Sequence, residues 1–238
     1  MTFLPQDHFI NDMYSKNRSY KDSFSNTQSQ EVVRNILAHY FVKSRKGLLV
    51  LIYGPCYSGK TLSAIMLGRA AEKSGSSIAI AQPAVERPGD IFEGFIQARN
   101  GEKYVASSYS TEEDIGLLFL GKEIVVINEF QFTSEGLQDS LFATIMGFID
   151  NGGCAILAGL YYSSLRTIFT FSERIKKAAN YSYELKAVCE KCGKPNAVYS
   201  QRLINGKPAP ANTPLFLRPS DQVSYVPRCT ACHVIQQI

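Results

Sequence analysis

No stretch of this chain approaches the roughly 20 consecutive apolar residues that a membrane-spanning helix needs. Charge of one sign is also scarce. The chain has 25 Lys and Arg against 21 Asp and Glu, a net +4, which is too small to argue for a nucleic-acid-binding or membrane-surface protein. A signal-peptide pattern is lacking too, since Asp7, His8, Asn11 and Asp12 stand where its apolar stretch would be. There are no internal repeats. What remains is an ordinary globular composition, 45% hydrophobic and 19% charged over 238 residues. It excludes collagen, coiled coil and wholesale disorder and suits one large domain or a main domain with a small companion. The expectation is a soluble, intracellular, cytoplasmic protein that engages neither nucleic acid nor membrane.

Hydrophobic periodicity divides the chain. Residues 1–30 are polar, rich in Ser, Asn, Gln and Asp, and read as a mobile or loosely docked tail. Val32, Val33, Ile36, Leu37, Tyr40 and Phe41 then form a helical stripe, expected to pack on a sheet or a neighbouring subunit. The run Gly47 to Tyr53 is continuously apolar and of strand length, which suits a strand covered on both faces. Similar runs recur at Ile78–Ala81, Ile124–Ile127 and Ala155–Leu160. Helical stretches lie between them at Thr61–Lys73, Glu112–Leu120 and Ser134–Asp150. Alternation of this kind indicates an α/β domain with a mostly parallel sheet. The run Arg174 to Lys177, on a further expected helix, reads as a solvated face. From about Glu184 the helical period disappears and Pro, Asn and Gly become frequent. The expected division is an N-terminal extension over 1–46, a nucleotide-binding domain over 47–183 and a small domain over 184–238.

Gly54-Pro55-Cys56-Tyr57-Ser58-Gly59-Lys60-Thr61 fits G-x-x-x-x-G-K-[ST] between a buried strand and a helix, the context that gives this motif meaning. Backbone N–H groups of such a loop converge on phosphate oxygens at a helix N-terminus. Lys60 can reach the outer phosphates and the Thr61 hydroxyl can bind Mg²⁺. A second strand, Glu123 to Asn128, ends on Glu129. Ligands of open α/β sheets bind at the carboxyl ends of strands, so Glu129 is expected to face the same crevice, where a carboxylate can act as a general base on a hydroxyl.

Two C-x-x-C pairs, Cys189/Cys192 and Cys229/Cys232, follow. Four thiolates satisfy tetrahedral Zn²⁺, and a closed four-sulfur shell is structural. Replacement of Cys232 by His233 as the fourth ligand, or two disulfides instead of a metal, are the competing readings. Cys56 and Cys154 read as small packing residues.

Together these motifs resemble the zinc-containing P-loop thymidine kinase family. The resemblance is carried by Tyr53 to Thr61, by Val126-Ile127-Asn128-Glu129-Phe130-Gln131-Phe132, by Ala158-Gly159-Leu160, by Leu185 to Cys189, by Ser200 to Pro208 and by Tyr225 to Cys229. It implies a RecA-like parallel sheet flanked by helices, with a small zinc-knuckle domain whose intervening residues form a lasso over the nucleoside base. It implies transfer of the γ-phosphate of ATP, with Mg²⁺, to the 5′-hydroxyl of thymidine or deoxyuridine. Glu129 then matches the catalytic base, and the nucleotide site comprises the phosphate loop with Asn128 and Gln131. Tyr225 matches the tyrosine that contacts the nucleoside. Tyr162, Ser164 and Arg202 are further candidates there, Arg202 either binding phosphate or shaping the lasso, with a surface arginine at the start of a strand as the competing reading. Cys189, Cys192, Cys229 and Cys232 match the zinc ligands. A homotetramer inhibited by thymidine triphosphate is also implied. Departures from the family pattern cluster at the site. Asn128 replaces the usual Asp, and Phe130 replaces a small residue. Ser164 falls where an aromatic is usual, and Gln82 to Arg87, Ala98 to Gly101 and Leu217 to Ser220 replace the usual loops. They motivate an alternative reading, a nucleotide-binding regulatory or scaffold protein of the same fold. A P-loop motor is a third reading, opposed by size and mild charge.

Overall fold

The computed structural model describes residues 6–42, 47–84, 94–214, 217 and 219–236. Strands β1 (Leu48–Tyr53), β2 (Ile78–Pro83), β5 (Ser107–Tyr109), β6 (Ile124–Asn128), β7 (Cys154–Gly159) and β8 (Tyr181–Glu184) form one sheet in the order β5-β2-β6-β7-β1-β8. Every pairing in it is parallel. The central strands β1, β6 and β7 are buried at every position, as their unbroken apolar sequences require when helices cover both faces.

Side chains alternate across the sheet, which splits the core in two. Leu48, Val50 and Ile52 join one cluster with Ile36 and Tyr40 of α1 (Gln6–Val42) and Ile65 and Leu67 of α2 (Lys60–Ser74). Leu49, Leu51 and Tyr53 join the other. That cluster holds Ile115 of α3 (Glu112–Phe119), Leu141 and Ile145 of α4 (Glu135–Asp150), and Phe171 and Ile175 of α5 (Thr170–Ala178). A short hairpin of β3 (Phe95–Gln97) and β4 (Lys103–Val105) lies beside α2, where the Arg69–Glu102 ion pair ties it.

Three sequence expectations change. The polar segment read as a loose tail is helical from Gln6, continuous with the apolar stripe, and from Lys21 onward it makes specific contacts described below. Met1 to Pro5 lie outside the described residues, as do Val85 to Arg87 and Arg218 of the loops named above. The supposed solvated run on α5 contains the fully buried Ile175, and Lys176 donates to the Tyr53 hydroxyl at 2.9 Å. Arg202, for which a surface position was one option, is 2% exposed.

Beyond Glu184 the chain leaves the large sheet. It forms a three-stranded antiparallel sheet of β9 (Tyr199–Ile204), β10 (Lys207–Pro208) and β11 (Val223–Arg228), with the order β10-β9-β11. Its hydrophobic cluster is small: Ala187, Cys189, Ala197 and Cys229, with Tyr57 and Cys232 packed against it.

Candidate active site and cysteine cluster

Because the central strands run parallel, β1, β6 and β7 end at one edge of the sheet, and the phosphate loop, Glu129 and residues 160–162 emerge there together. The loop is strongly bent. Tyr57 and Gly59 have φ of 65° and 97°, left-handed values that cost a non-glycine residue about 1 kcal/mol or more. A Cβ at Gly59 would stand 2.6 Å from Ser29 Oγ, so glycine also permits the close approach of α1. Pro55 carbonyl accepts from Ser58 Oγ at 2.9 Å and from the buried Lys60 ammonium at 2.7 Å. The first N–H groups of α2 have no intrahelical acceptor and are available to an anion.

Burial lowers the Lys60 pKa below the ordinary lysine range, and the Glu129 carboxylate opposes that shift. Lys60 follows the loop after β1 and Glu129 follows β6, with β7 between those two strands. Glu129 sits at φ 53°, its N–H bound to Ala158 carbonyl at 2.7 Å. Its carboxylate accepts from Gln131 Nε2 at 2.6 Å, while Gln131 Oε1 accepts from the Leu160 N–H at 2.9 Å. Gln131 is buried and meets the site through Glu129. A Cβ at Gly159 would fall 2.1 Å from Gln131 Oε1, so this relay depends on glycine there. The bulky Phe130 points into the core, edge-on to Phe171 at 5.9 Å. Thr61 Oγ1 lies 3.4 Å from Asn128 Oδ1, which joins the helix start to the end of β6.

The nucleoside candidates separate into two places. Tyr162 belongs to an aromatic row, with Tyr53–Tyr161, Tyr161–Tyr162 and Tyr162–Tyr199 centroids 5.2, 4.9 and 5.2 Å apart. Ser164 lies half-buried in the following turn. Tyr225 and Arg202 are cross-strand partners on β11 and β9. The Tyr225 hydroxyl donates to Leu217 carbonyl at 2.6 Å and accepts from Arg202 Nε at 3.0 Å. Arg202 also donates to Thr213 Oγ1 and Pro214 carbonyl. Both side chains thus hold the chain at Thr213, Pro214 and Leu217.

The four paired cysteines bring their sulfurs within 4.8 Å of one another, and all six cysteines are free thiols. Cys192 and Cys229 sulfurs are 3.8 Å apart. Burial would raise the Cys189 thiol, but backbone donors of Cys229, Cys192 and Lys191 overcome it and bring the value to about 6. Four sulfurs this close together fit tetrahedral Zn²⁺. Cys232 completes that shell. His233 instead accepts at Nδ1 from Arg166 Nε at 3.2 Å, and burial, then the Arg166 cation, push it down to about 4, which keeps the ring neutral. Cys56 and Cys154 are pushed up to about 11 and about 12 by burial, inert thiols as expected of packing residues.

Sequence reading missed Arg166. At φ 62°, it reaches from the turn after β7 to the Thr230 and His233 carbonyls at 3.0 and 2.9 Å and lies over Tyr199. No periodic or motif signal marks it. Arg99, from the β3–β4 turn, stacks its guanidinium 3.4 Å from the Tyr57 ring centroid. Ser200 Oγ accepts from the Cys56 N–H at 2.8 Å.

Among the described residues no helix is long and apolar enough to cross a membrane. The curated thymidine kinase of Pyrobaculum aerophilum is 32% identical over 193 residues, covering 79% of this chain and 99% of that protein. The thymidine kinase of Thermococcus kodakarensis is 32% identical over 195 residues, covering 79% and 95%. That of Halobacterium salinarum is 28% identical over 196 residues, covering 82% and 97%. Among solved structures, AMPPCP-bound DnaA from Aquifex aeolicus is 12% identical with a TM-score of 0.40, and this chain spans 47% of it. The family model "Thymidine kinase" matches residues 47–233, and the chain belongs to the thymidine kinase family.

Proposed function

We propose that this chain is a thymidine kinase that uses ATP as phosphoryl donor and thymidine as acceptor. The observation that carries this reading is the family match over residues 47–233, supported by the phosphate loop and Glu129 following strands that end at one edge of the parallel sheet. Phosphoryl transfer asks a protein mainly for positioning and charge stabilisation. The N–H groups at the start of α2 and the Lys60 ammonium would hold the β- and γ-phosphates. The 5′-oxygen forms a bond to the γ-phosphorus as the bond from that phosphorus to the β–γ bridging oxygen breaks. The hydroxyl proton passes to the Glu129 carboxylate, and ADP leaves. Gln131 fixes the carboxylate's orientation through its paired bonds to Glu129 and Leu160. The residues at the Tyr162 row and the Tyr225–Arg202 lasso are the proposed walls of the nucleoside site.

Thr61 and Asn128 present hard oxygen atoms that fit Mg²⁺, which would neutralise charge on the phosphates. Asn128 contributes no charge of its own, so the triphosphate must supply most of the attraction. Cys189, Cys192, Cys229 and Cys232 would hold a structural Zn²⁺. Family membership also underlies the expected tetramer and the expected inhibition by thymidine triphosphate.

The test is transfer of labelled phosphate from ATP to thymidine, deoxyuridine and the other deoxynucleosides, for wild type and Glu129→Gln. Thymidine should be phosphorylated, and the variant should lose about 10²–10⁴-fold in kcat while binding ATP normally. Undiminished turnover in Glu129→Gln would remove that residue from the chemistry. ATP binding without transfer to any nucleoside would favour the regulatory reading.

A further inference from the structure

The matched family region begins at residue 47, yet the helix preceding it touches the phosphate loop directly. Ser25 Oγ donates to the Tyr57 carbonyl at 2.8 Å. Ser29 Oγ, fully buried, lies 3.1 Å from the Gly59 carbonyl and shares its proton with the Ser25 carbonyl at 2.9 Å. The same helix grips the segment that enters the first cysteine turn. Gln28 pairs with both backbone groups of Lys186, Nε2 to the carbonyl at 2.8 Å and Oε1 from the N–H at 2.9 Å, and Lys21 pairs with Glu190 at 3.0 Å. Tyr57, the residue whose carbonyl Ser25 holds, packs its ring against the cysteine-turn cluster.

We infer that α1 is a splint that holds the phosphate loop in its anion-ready shape and locks it to the cysteine-bearing lobe, with Ser25 and Gln28 as positioning residues for nucleotide binding. The physical need is clear at Tyr57. A left-handed tyrosine persists only where its surroundings over-determine it. Ser25 fixes its peptide while Arg99 and the cysteine-turn cluster confine its ring. Release of the Tyr57 carbonyl would let the adjoining peptides rotate, and the N–H groups that face phosphate would lose their convergence. Ser25 and Ser29 lie on the same helix face as Val32, Val33, Ile36 and Tyr40, so burial of that apolar stripe on the sheet delivers the two hydroxyls to the loop.

The inference rests on the nucleotide-binding reading of the loop, and direct ATP binding tests it without recourse to thymidine. In Ser25→Ala, calorimetry should show ATP affinity reduced about three- to tenfold, the range expected for one lost hydrogen bond, with the KM for thymidine unchanged. Ser25→Thr, which keeps the hydroxyl, should restore affinity. Gln28→Ala should weaken ATP binding in the same direction. Amide exchange over residues 56–60, measured without ATP, should quicken in Ser25→Ala while exchange within β6 and β7 stays slow. Wild-type ATP affinity in a folded Ser25→Ala chain would overturn the splint and leave the kinase reading standing. A wild-type chain that binds ATP but phosphorylates no nucleoside would remove the thymidine reading and leave this test intact.

Discussion

The six-stranded sheet and the cysteine-bearing lobe are stabilised in different ways. The sheet has two apolar clusters, one on each face, drawn from five helices and the central strands. The lobe's hydrophobic cluster has only four small buried residues and two packed neighbours. Backbone and side-chain hydrogen bonds supply most of its order. Cys189 N–H binds Lys194 carbonyl, Gly193 N–H binds Cys189 carbonyl, and both Cys232 and His233 N–H bind Cys229 carbonyl. A core that small cannot offset the conformational entropy of so many residues, so a cross-link through the four sulfurs is the natural remedy. The sheet needs no such aid.

That contrast predicts a scale of effects. The largest concerns metal. Zinc analysis should find about one ion per chain, and its removal by chelation should melt the lobe, because four-sulfur sites contribute about 10 kcal/mol or more to small folds. Hydrogen exchange should then lose protection over 187–233 and retain it in β1, β6 and β7; simultaneous loss in both would break the comparison. Next comes Ile156→Ala at the centre of β7, fully buried between β1 and β6. Denaturant unfolding should show a loss of about 2–5 kcal/mol, felt by the sheet in the presence of zinc. Arg166→Ala removes a cationic donor from two lobe carbonyls and should cost about 1.5–3 kcal/mol, read as faster exchange around Thr230 and His233 with the sheet unaffected. The smallest effect belongs to Thr111→Ala. Thr111 Oγ1 accepts from Asp114 N–H in a reciprocal capping box at the start of α3, and its loss should cost about 1 kcal/mol without touching the lobe.

Legibility in the sequence followed the same division. The strands β1, β6 and β7 were readable because double-sided burial demands unbroken apolar runs, and the phosphate loop and cysteine pairs because their spacing is set by ligand geometry. The edge strand β8, Tyr181–Glu184, has half-buried and exposed residues in alternation and gave no such run. The β3–β4 hairpin is only three residues deep on each side. The docking of α1 escapes the sequence because Ser25, Gln28 and Ser29 act through side-chain hydrogen bonds to backbone groups, which no composition rule detects. One signal was present: the two serines stand in phase with the apolar stripe that follows them.

By itself the sequence determined a parallel α/β sheet, a phosphate-binding turn and a four-thiol cluster, because each follows from local chemistry repeated at fixed spacing. Only the tertiary structure decided that Gln131 steers Glu129, that Arg166 braces the lobe, and that α1 supports the phosphate loop. Gln131 stands two residues from Glu129 but is itself held by Leu160, and the other contacts likewise join residues far apart in the chain. Their energies depend on distance and orientation, and a linear order of residues specifies neither.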